Sequence, residues 1–219
     1  MLVDSLNYAF EYGELSNSQK RAIITLIEKK GKDKRLIKNW RPISLINMDA
    51  KIASKALSKR LEQTLPEIIH FNQNAFVKGR TIFDAIRTIE DVEYTKQKGL
   101  SGILLAVDFE KAFDTLNFNY LIRILHEFNF GPSFIQWIRV LYENASSCVL
   151  NKLPQVVFST GPFSLGRGVR QGDLLSPYLF IIALEVLAIR IRNDDTIQGF
   201  KFGDENGERL VAFGEDTDS

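Results

Sequence analysis

Residues 103–107 read Ile-Leu-Leu-Ala-Val, five apolar residues without a break, and Asp108 follows at once. A run of this length suits a strand, and the lack of alternation means that both of its faces need cover. The expectation is a buried central strand of a sheet packed on helices, delivering Asp108 at its C-terminal end. Helical and strand patterns are interspersed along the chain, with hairpins in place of strict βαβ alternation, so the expected class is α+β. A length of 219 residues allows one large domain or two subdomains sharing a core. No repeat, low-complexity tract or linker divides it.

Around that run the elements can be laid out. Residues 20–27 (KRAIITLI) are β-branched and apolar and read as a strand. The polar, basic segment EKKGKDKRLIKNW follows, with Gly31 for a turn, and reads as a mobile loop. Arg41–Leu45 is a short extended stretch. With Asn47 or Asp49 as cap, a helix then carries Ile52, Ala53, Ala56, Leu57 and Leu61 at helical spacing. Lys51, Lys55 and Lys59 share one side of it, either a phosphate-facing stripe or a solvated one. A second amphipathic helix is expected over Thr81–Lys98, ended by Gly99. Two more cover about 117–129 and 132–145, parted by Gly131-Pro132. Cys148–Leu150 and Val156–Phe158 look like a hairpin. After a glycine-containing turn over 166–172, Ser176 as N-cap and Pro177 at N1 open a long apolar helix to about Arg192. Strands at 197–202 and 209–213 flank Asn206-Gly207, a strong hairpin signal.

Composition narrows the function classes. The balance of 45% hydrophobic and 25% charged residues is that of a soluble globular protein. No apolar run reaches the roughly 18 residues that span a bilayer, and the N-terminus lacks a basic region and cleavage site for secretion. One cysteine, Cys148, fits a reducing compartment. The expected location is therefore intracellular, nuclear or cytoplasmic, with no membrane partner. His70 and His126 lie too far apart in sequence to suggest a zinc site. The net charge of +1 conceals an asymmetry: residues 20–60 hold 13 Lys and Arg against three acids. Such a basic segment suits a polyanion, although a solvated lysine-rich face would read the same way. Eight acids gather between Asp194 and Asp218, and carboxylates beside a phosphate-binding surface call for a cation.

Asp108 and the segment Phe213-Gly214-Glu215-Asp216 place carboxylates at two expected strand ends. Adjacent in one sheet, they would form an oxygen-rich site suited to magnesium. Taken singly, Asp108 could instead cap the helix that follows. The order of motifs adds to this. AVDFEKAFDTL (106–116), GVRQGDLLSPYLF (168–180) and AFGEDTDS (212–219) resemble the three central palm motifs of reverse transcriptases. Upstream, NWRPISLIN (39–47), KIASKALSKRL (51–61) and NQNAFVKGR (72–80) resemble fingers segments of non-LTR, LINE-type retrotransposon polymerases.

The resemblance implies one domain over residues 1–219 with the fold of a right-hand polymerase. Fingers would fill about 13–100 and an incomplete palm about 101–219, an antiparallel palm sheet would pack on helices, and the thumb would be absent. It implies an RNA-directed DNA polymerase using two magnesium ions, with manganese as an alternative. Asp108, Glu215 and Asp216 would be catalytic and metal-binding, joined by the Phe109 carbonyl. Arg41 and Lys32 would hold the triphosphate of a deoxynucleotide. Phe113 would lie under the sugar and bar a 2′-hydroxyl, unless it only packs the core. Gln171 and Gly172 would touch the substrate. The partners implied are an RNA template and a DNA primer.

Two departures from the family stand out. Gly214-Glu215 replaces the usual Ala-Asp, and Asp173-Leu174 replaces the common Cys-Pro, setting a negative charge near the expected nucleic-acid path. The sequence also stops three residues after Asp216, so thumb and endonuclease segments are expected elsewhere or lost, and the chain alone is expected to be a weak or inactive polymerase. The competing expectation is a non-catalytic nucleic-acid-binding remnant. Intron-encoded and telomerase-like relatives form a third, and a viral RNA polymerase is disfavoured by Phe113.

Overall fold

The computed structural model describes residues 1–97, 103–152 and 157–199. Chain order runs through α1 (Leu2–Tyr12), α2 (Asn17–Lys20), β1 (Arg21–Glu28), a 3-10 turn at Ile37–Asn39 and β2 (Trp40–Leu45). Then come α3 (Met48–Ile68), α4 (Ile82–Gln97), α5 (Ala112–Thr115), α6 (Phe118–Glu127) and α7 (Pro132–Tyr142). The strands β3 (Ser146–Lys152), β4 (Val157–Ser159) and β5 (Phe163–Ser164) lead to α8 (Ser176–Arg192). This is a mixed α+β architecture, consistent with the fingers and palm region of a polymerase.

One five-stranded sheet has the order β2-β1-β3-β4, with β5 on β3. β1 pairs antiparallel with β2, Ile27 facing Arg41 and Ile24 facing Ser44. It pairs parallel with β3, Arg21 facing Ser146 and Ile24 facing Val149. The sheet is thus mixed: the described strands after residue 101 pair antiparallel with one another, as expected of a palm sheet, and the parallel pair joins β3 to β1 from the expected fingers. A parallel neighbour needs a long crossover, and here everything from β2 to α7 provides it. The expected hairpin forms between β3 and β4, Leu150 facing Ser159. The basic β1–β2 connection, expected as a mobile loop, is bonded to itself. Asn39 Nδ2 donates to the Asp33 carbonyl at 2.8 Å and Trp40 Nε1 to that of Lys34 at 2.9 Å.

The helices follow their patterns closely. α3 starts at Asn47, whose side chain accepts from the Asp49 amide at 2.9 Å. It buries Ala50, Ala53, Ser54, Leu57, Ser58, Leu61 and Leu65, one continuous face at steps of three and four. Lys51, Lys55 and Lys59 lie on its exposed side, where Lys59 pairs with Glu62. α8 is apolar nearly all round, and Leu179, Ile181 and Ile182 are fully buried at the centre of the core. Each such side chain contributes about 1.5–3 kcal/mol of burial. Ser176, expected as the N-cap, is instead the first residue inside α8; Leu175 precedes it, and the Ser176 hydroxyl lies 3.2 Å from the Tyr142 hydroxyl. Its oxygen is used on a buried neighbour rather than on the helix end.

The largest correction concerns residues 103–107. They form no strand, and Ile103, Leu104, Leu105 and Val107 are 59–90% exposed. An apolar run specifies a need for cover, not the cover itself. A strand also needs a neighbour to take its backbone hydrogen bonds, and none of the five strands among the described residues pairs with it. Its expected neighbour, the hairpin of 197–202 and 209–213, lies outside the described residues except for 197–199, which are not in a strand. Gly99 also lies outside them.

Candidate nucleotide and nucleic-acid site

The loop 168–173 (GVRQGD) is the seat of the candidate site, because successive residues in it are fastened to different elements. Gly168 N–H donates to the Leu116 carbonyl at 2.7 Å, and Val169 N–H donates to that of Phe113 at 2.8 Å. Gly168 holds φ +87°, and a Cβ there would sit 2.9 Å from the Asp114 carbonyl oxygen and 3.0 Å from that of Phe113. Only glycine permits this approach together with that backbone angle. Arg170, 5% exposed, reaches back to the Lys20 carbonyl at 2.8 Å. The Gln171 carbonyl accepts from the Ser44 amide of β2 at 2.9 Å, so the loop covers part of that edge strand.

Gly172, at φ +98°, would place a Cβ 3.2 Å from the Ser44 carbonyl oxygen and 3.4 Å from Ile43 Cγ2. Arg41 lies two residues from Ile43 on the same strand, hence on the same face. The structure therefore seats Gln171 and Gly172 against Ile43 and Ser44 of β2, the strand that also carries Arg41. Lys32 is exposed on the β1–β2 connection, beyond the last pair of the hairpin, Glu28 with Trp40.

Phe113 joins this group through its backbone. Its ring is 7% exposed and meets Phe180 of α8 edge-on, centroids 5.5 Å apart. Phe109 meets the same ring at 6.0 Å. That contact anchors the chain next to Asp108, which is exposed at the end of the irregular 103–109 segment rather than at the end of a strand. Glu215 and Asp216 lie outside the described residues, so their distance from Asp108 stays an expectation. Among the described residues no group of three His, Cys, Asp or Glu is arranged to hold a metal. Asp108 and the Phe109 carbonyl are the only expected metal ligands that fall among them.

Asp173 overturns the expectation of a charge facing nucleic acid. It is 6% exposed. The Ser54 hydroxyl of α3 donates to Oδ1, and the Tyr142 hydroxyl of α7 donates to Oδ2 at 2.6 Å. Burial holds the Tyr142 hydroxyl well above its ordinary pKa, and the neighbouring Asp173 pushes the same way. Burial pulls Arg170 down, while Tyr142 and Asp173 oppose that pull. A buried carboxyl is tolerable only with such donors.

Sequence reasoning missed this cluster because Ser54 and Asp173 stand 119 positions apart. The one local hint was a pair of serines, Ser54 and Ser58, on the apolar face of α3. It also missed Arg80, which donates to the carbonyls of Ile69 at 2.8 Å, His70 at 2.6 Å and Gln73 at 2.9 Å, just past the end of α3. The Arg80 guanidinium thus ties the NQNAFVKGR segment to the end of α3.

The order of these motifs on a mixed sheet backed by helices is consistent with a polymerase, and comparison with known proteins supplies the family. The chain belongs to the reverse transcriptase (RNA-dependent DNA polymerase) family, whose model matches residues 27–205. It is related to proteins of non-LTR retrotransposons. It is 44% identical over 189 residues to a protein called the transposon TX1 uncharacterized 149 kDa protein of Xenopus laevis, covering 85% of this chain and 14% of that one. It is 26% identical over 199 residues to a retrovirus-related Pol polyprotein from the type-1 retrotransposable element R2 of Popillia japonica, covering 88% and 26%. A putative 115 kDa protein in the type-1 retrotransposable element R1DM of Drosophila melanogaster is 25% identical over 176 residues, covering 78% and 16%. The chain thus spans about a quarter or less of the length of these relatives. No helix among the described residues is long and apolar enough to cross a membrane.

Proposed function

We propose that this chain is the fingers-and-palm part of an RNA-directed DNA polymerase, extending a DNA primer on an RNA template with deoxynucleoside triphosphates. The observation that carries the reading is the seating of 168–173, which sets Gln171 and Gly172 against Ser44 of β2, the strand that carries Arg41, and bonds the same loop to the backbone of Phe113. Arg41, with Lys32 from the adjoining connection, would neutralise the triphosphate, since a guanidinium makes two parallel bonds to phosphate oxygens. Gln171 offers both a donor and an acceptor, and Gly172 lets the loop lie close against Ser44 of β2. Phe113, fixed by Phe180, would close the space at the sugar 2′ position. Magnesium or manganese, held by Asp108, the Phe109 carbonyl, Glu215 and Asp216, would supply charge stabilisation at the transferring phosphate. Holding substrates in line is the remaining task, and it belongs to these side chains.

Gly214-Glu215 lowers the expected rate: Glu215 carries its carboxylate one methylene further out than aspartate, and a misplacement of about 1 Å would cost on the order of 100-fold. Primer extension on a homopolymer template with magnesium tests the proposal. Weak, metal-dependent product is expected, lost in Asp108→Ala and raised in the double variant Gly214→Ala/Glu215→Asp, with template–primer binding intact in all. A second reading, a nucleic-acid-binding remnant without chemistry, draws on the exposed Lys30, Lys32, Lys38, Lys51 and Lys55. Binding without extension in the wild type and in both variants would select it.

A further inference from the structure

We infer that Asp173 is a positioning residue: held by Ser54 and Tyr142, it fixes the peptide that presents Gln171 and Gly172 along β2, and so sets the affinity for the incoming nucleoside triphosphate. The inference rests on the polymerase reading above and adds to it a determinant that touches no substrate.

The loop is anchored on both sides of its substrate-facing pair. Before it, Arg170 is tied to the Lys20 carbonyl at 2.8 Å. After it, the Asp173 carboxyl takes two hydroxyl donors from two helices, α3 and α7, inside the core. Between these anchors the Ser44 N–H of β2 donates to the Gln171 carbonyl at 2.9 Å. Gly172 stands directly before Asp173 at φ +98°, and a glycine adds the freest joint a chain can have. Without the Asp173 anchor, that joint lets the Gln171-Gly172 peptide leave β2. The nucleotide would then have to order the loop on binding, a cost taken out of its affinity.

The test compares Asp173→Ala, Asp173→Asn and Leu65→Ala in the full chain. Leu65 is fully buried on α3, 11 residues beyond Ser54 and therefore about 16 Å away along the helix, so its loss matches the destabilisation without touching the loop. The readouts are KM and kcat for dGTP on an oligo(dG)-primed poly(rC) template, the affinity for that template–primer, and hydrogen exchange at the Ser44 and Val169 amides. Asp173→Ala should raise KM about tenfold, equivalent to about 1.4 kcal/mol of ordering, with kcat and template–primer affinity little changed and Ser44 exchange accelerated. Asp173→Asn should recover most of the affinity, because its carbonyl still accepts from Ser54 and its amide donates to the Tyr142 oxygen. An equal rise of KM in Leu65→Ala, failure of Asp173→Asn to recover, or unchanged Ser44 exchange in Asp173→Ala overturns the inference alone. If the wild type itself takes no dGTP, the polymerase reading fails and carries the inference down with it.

Discussion

Replacing Gly168 by alanine isolates the close approach on which the loop is built. The new Cβ would stand 2.9 Å from the Asp114 carbonyl oxygen, 3.0 Å from that of Phe113 and 3.1 Å from Asp114 Cα, all of them backbone atoms. Backbone cannot swing aside as a side chain does, so loop or α5 must retreat by several tenths of an ångström. Retreat loosens the bonds from Gly168 N–H to Leu116 and from Val169 N–H to Phe113, worth about 1 kcal/mol each. The left-handed backbone costs alanine about another 1–2 kcal/mol. The total is about 3–4 kcal/mol, a large share of the roughly 5–15 kcal/mol that keeps a domain folded.

Gly79 provides the control. It has a similar φ of +84°, and a Cβ there would meet nothing within 4 Å, so Gly79→Ala should cost only the backbone term, about 1–2 kcal/mol. Urea unfolding of both variants separates the two contributions: Gly168→Ala should unfold at a midpoint lower than Gly79→Ala by about 1 M, given a slope of about 2 kcal/mol per molar. Equal midpoints would mean that the loop does not rest on α5, and the packing argument for the site would go with it.

Arg80→Met keeps the apolar stem but removes the donors to three carbonyls beyond α3. It should cost about 2 kcal/mol in urea unfolding, as expected for charged hydrogen bonds, and Arg80→Lys should recover only part because one ammonium does not span the fan. Tyr142 gives a pH signature. Its hydroxyl is held well above the ordinary value of 10.0, first by burial and then by Asp173, so above that pH the unfolded chain loses the tyrosine proton while the folded one keeps it. Stability contributed by the protonated form is complete below pH 10.0 and falls as pH rises beyond it. Tyr142→Phe should therefore flatten the alkaline decline measured by urea unfolding across pH 9 to 11 (about one unit either side, the width of a single titration), while lowering stability at neutral pH; an unchanged alkaline slope would refute the assignment.

Much of the local structure was legible without coordinates. β1, β2 and α3, a cap at Asn47 or Asp49, the break at Gly131-Pro132 and the β3–β4 pairing all follow from period, capping and turn chemistry, which act over a few residues. The order of the six motifs was likewise enough for the family. Elsewhere the same reading stopped short. α4 forms as patterned, yet Ile82, Phe83, Ile86 and Ile89 stay exposed among the described residues, at 39–74%. The 103–107 run behaves the same way. Asp173 looked like a surface charge and is a core anchor.

The difference is one of range. Hydrophobic period and caps state which side of an element wants cover, and that information is complete within one or two turns of chain. Which element supplies the cover, and which distant hydroxyl meets a buried carboxyl, is decided when segments separated by long loops close on one another. Only the folded chain records that Ser54 and Tyr142 meet Asp173, and that β1 takes β3 as a parallel neighbour.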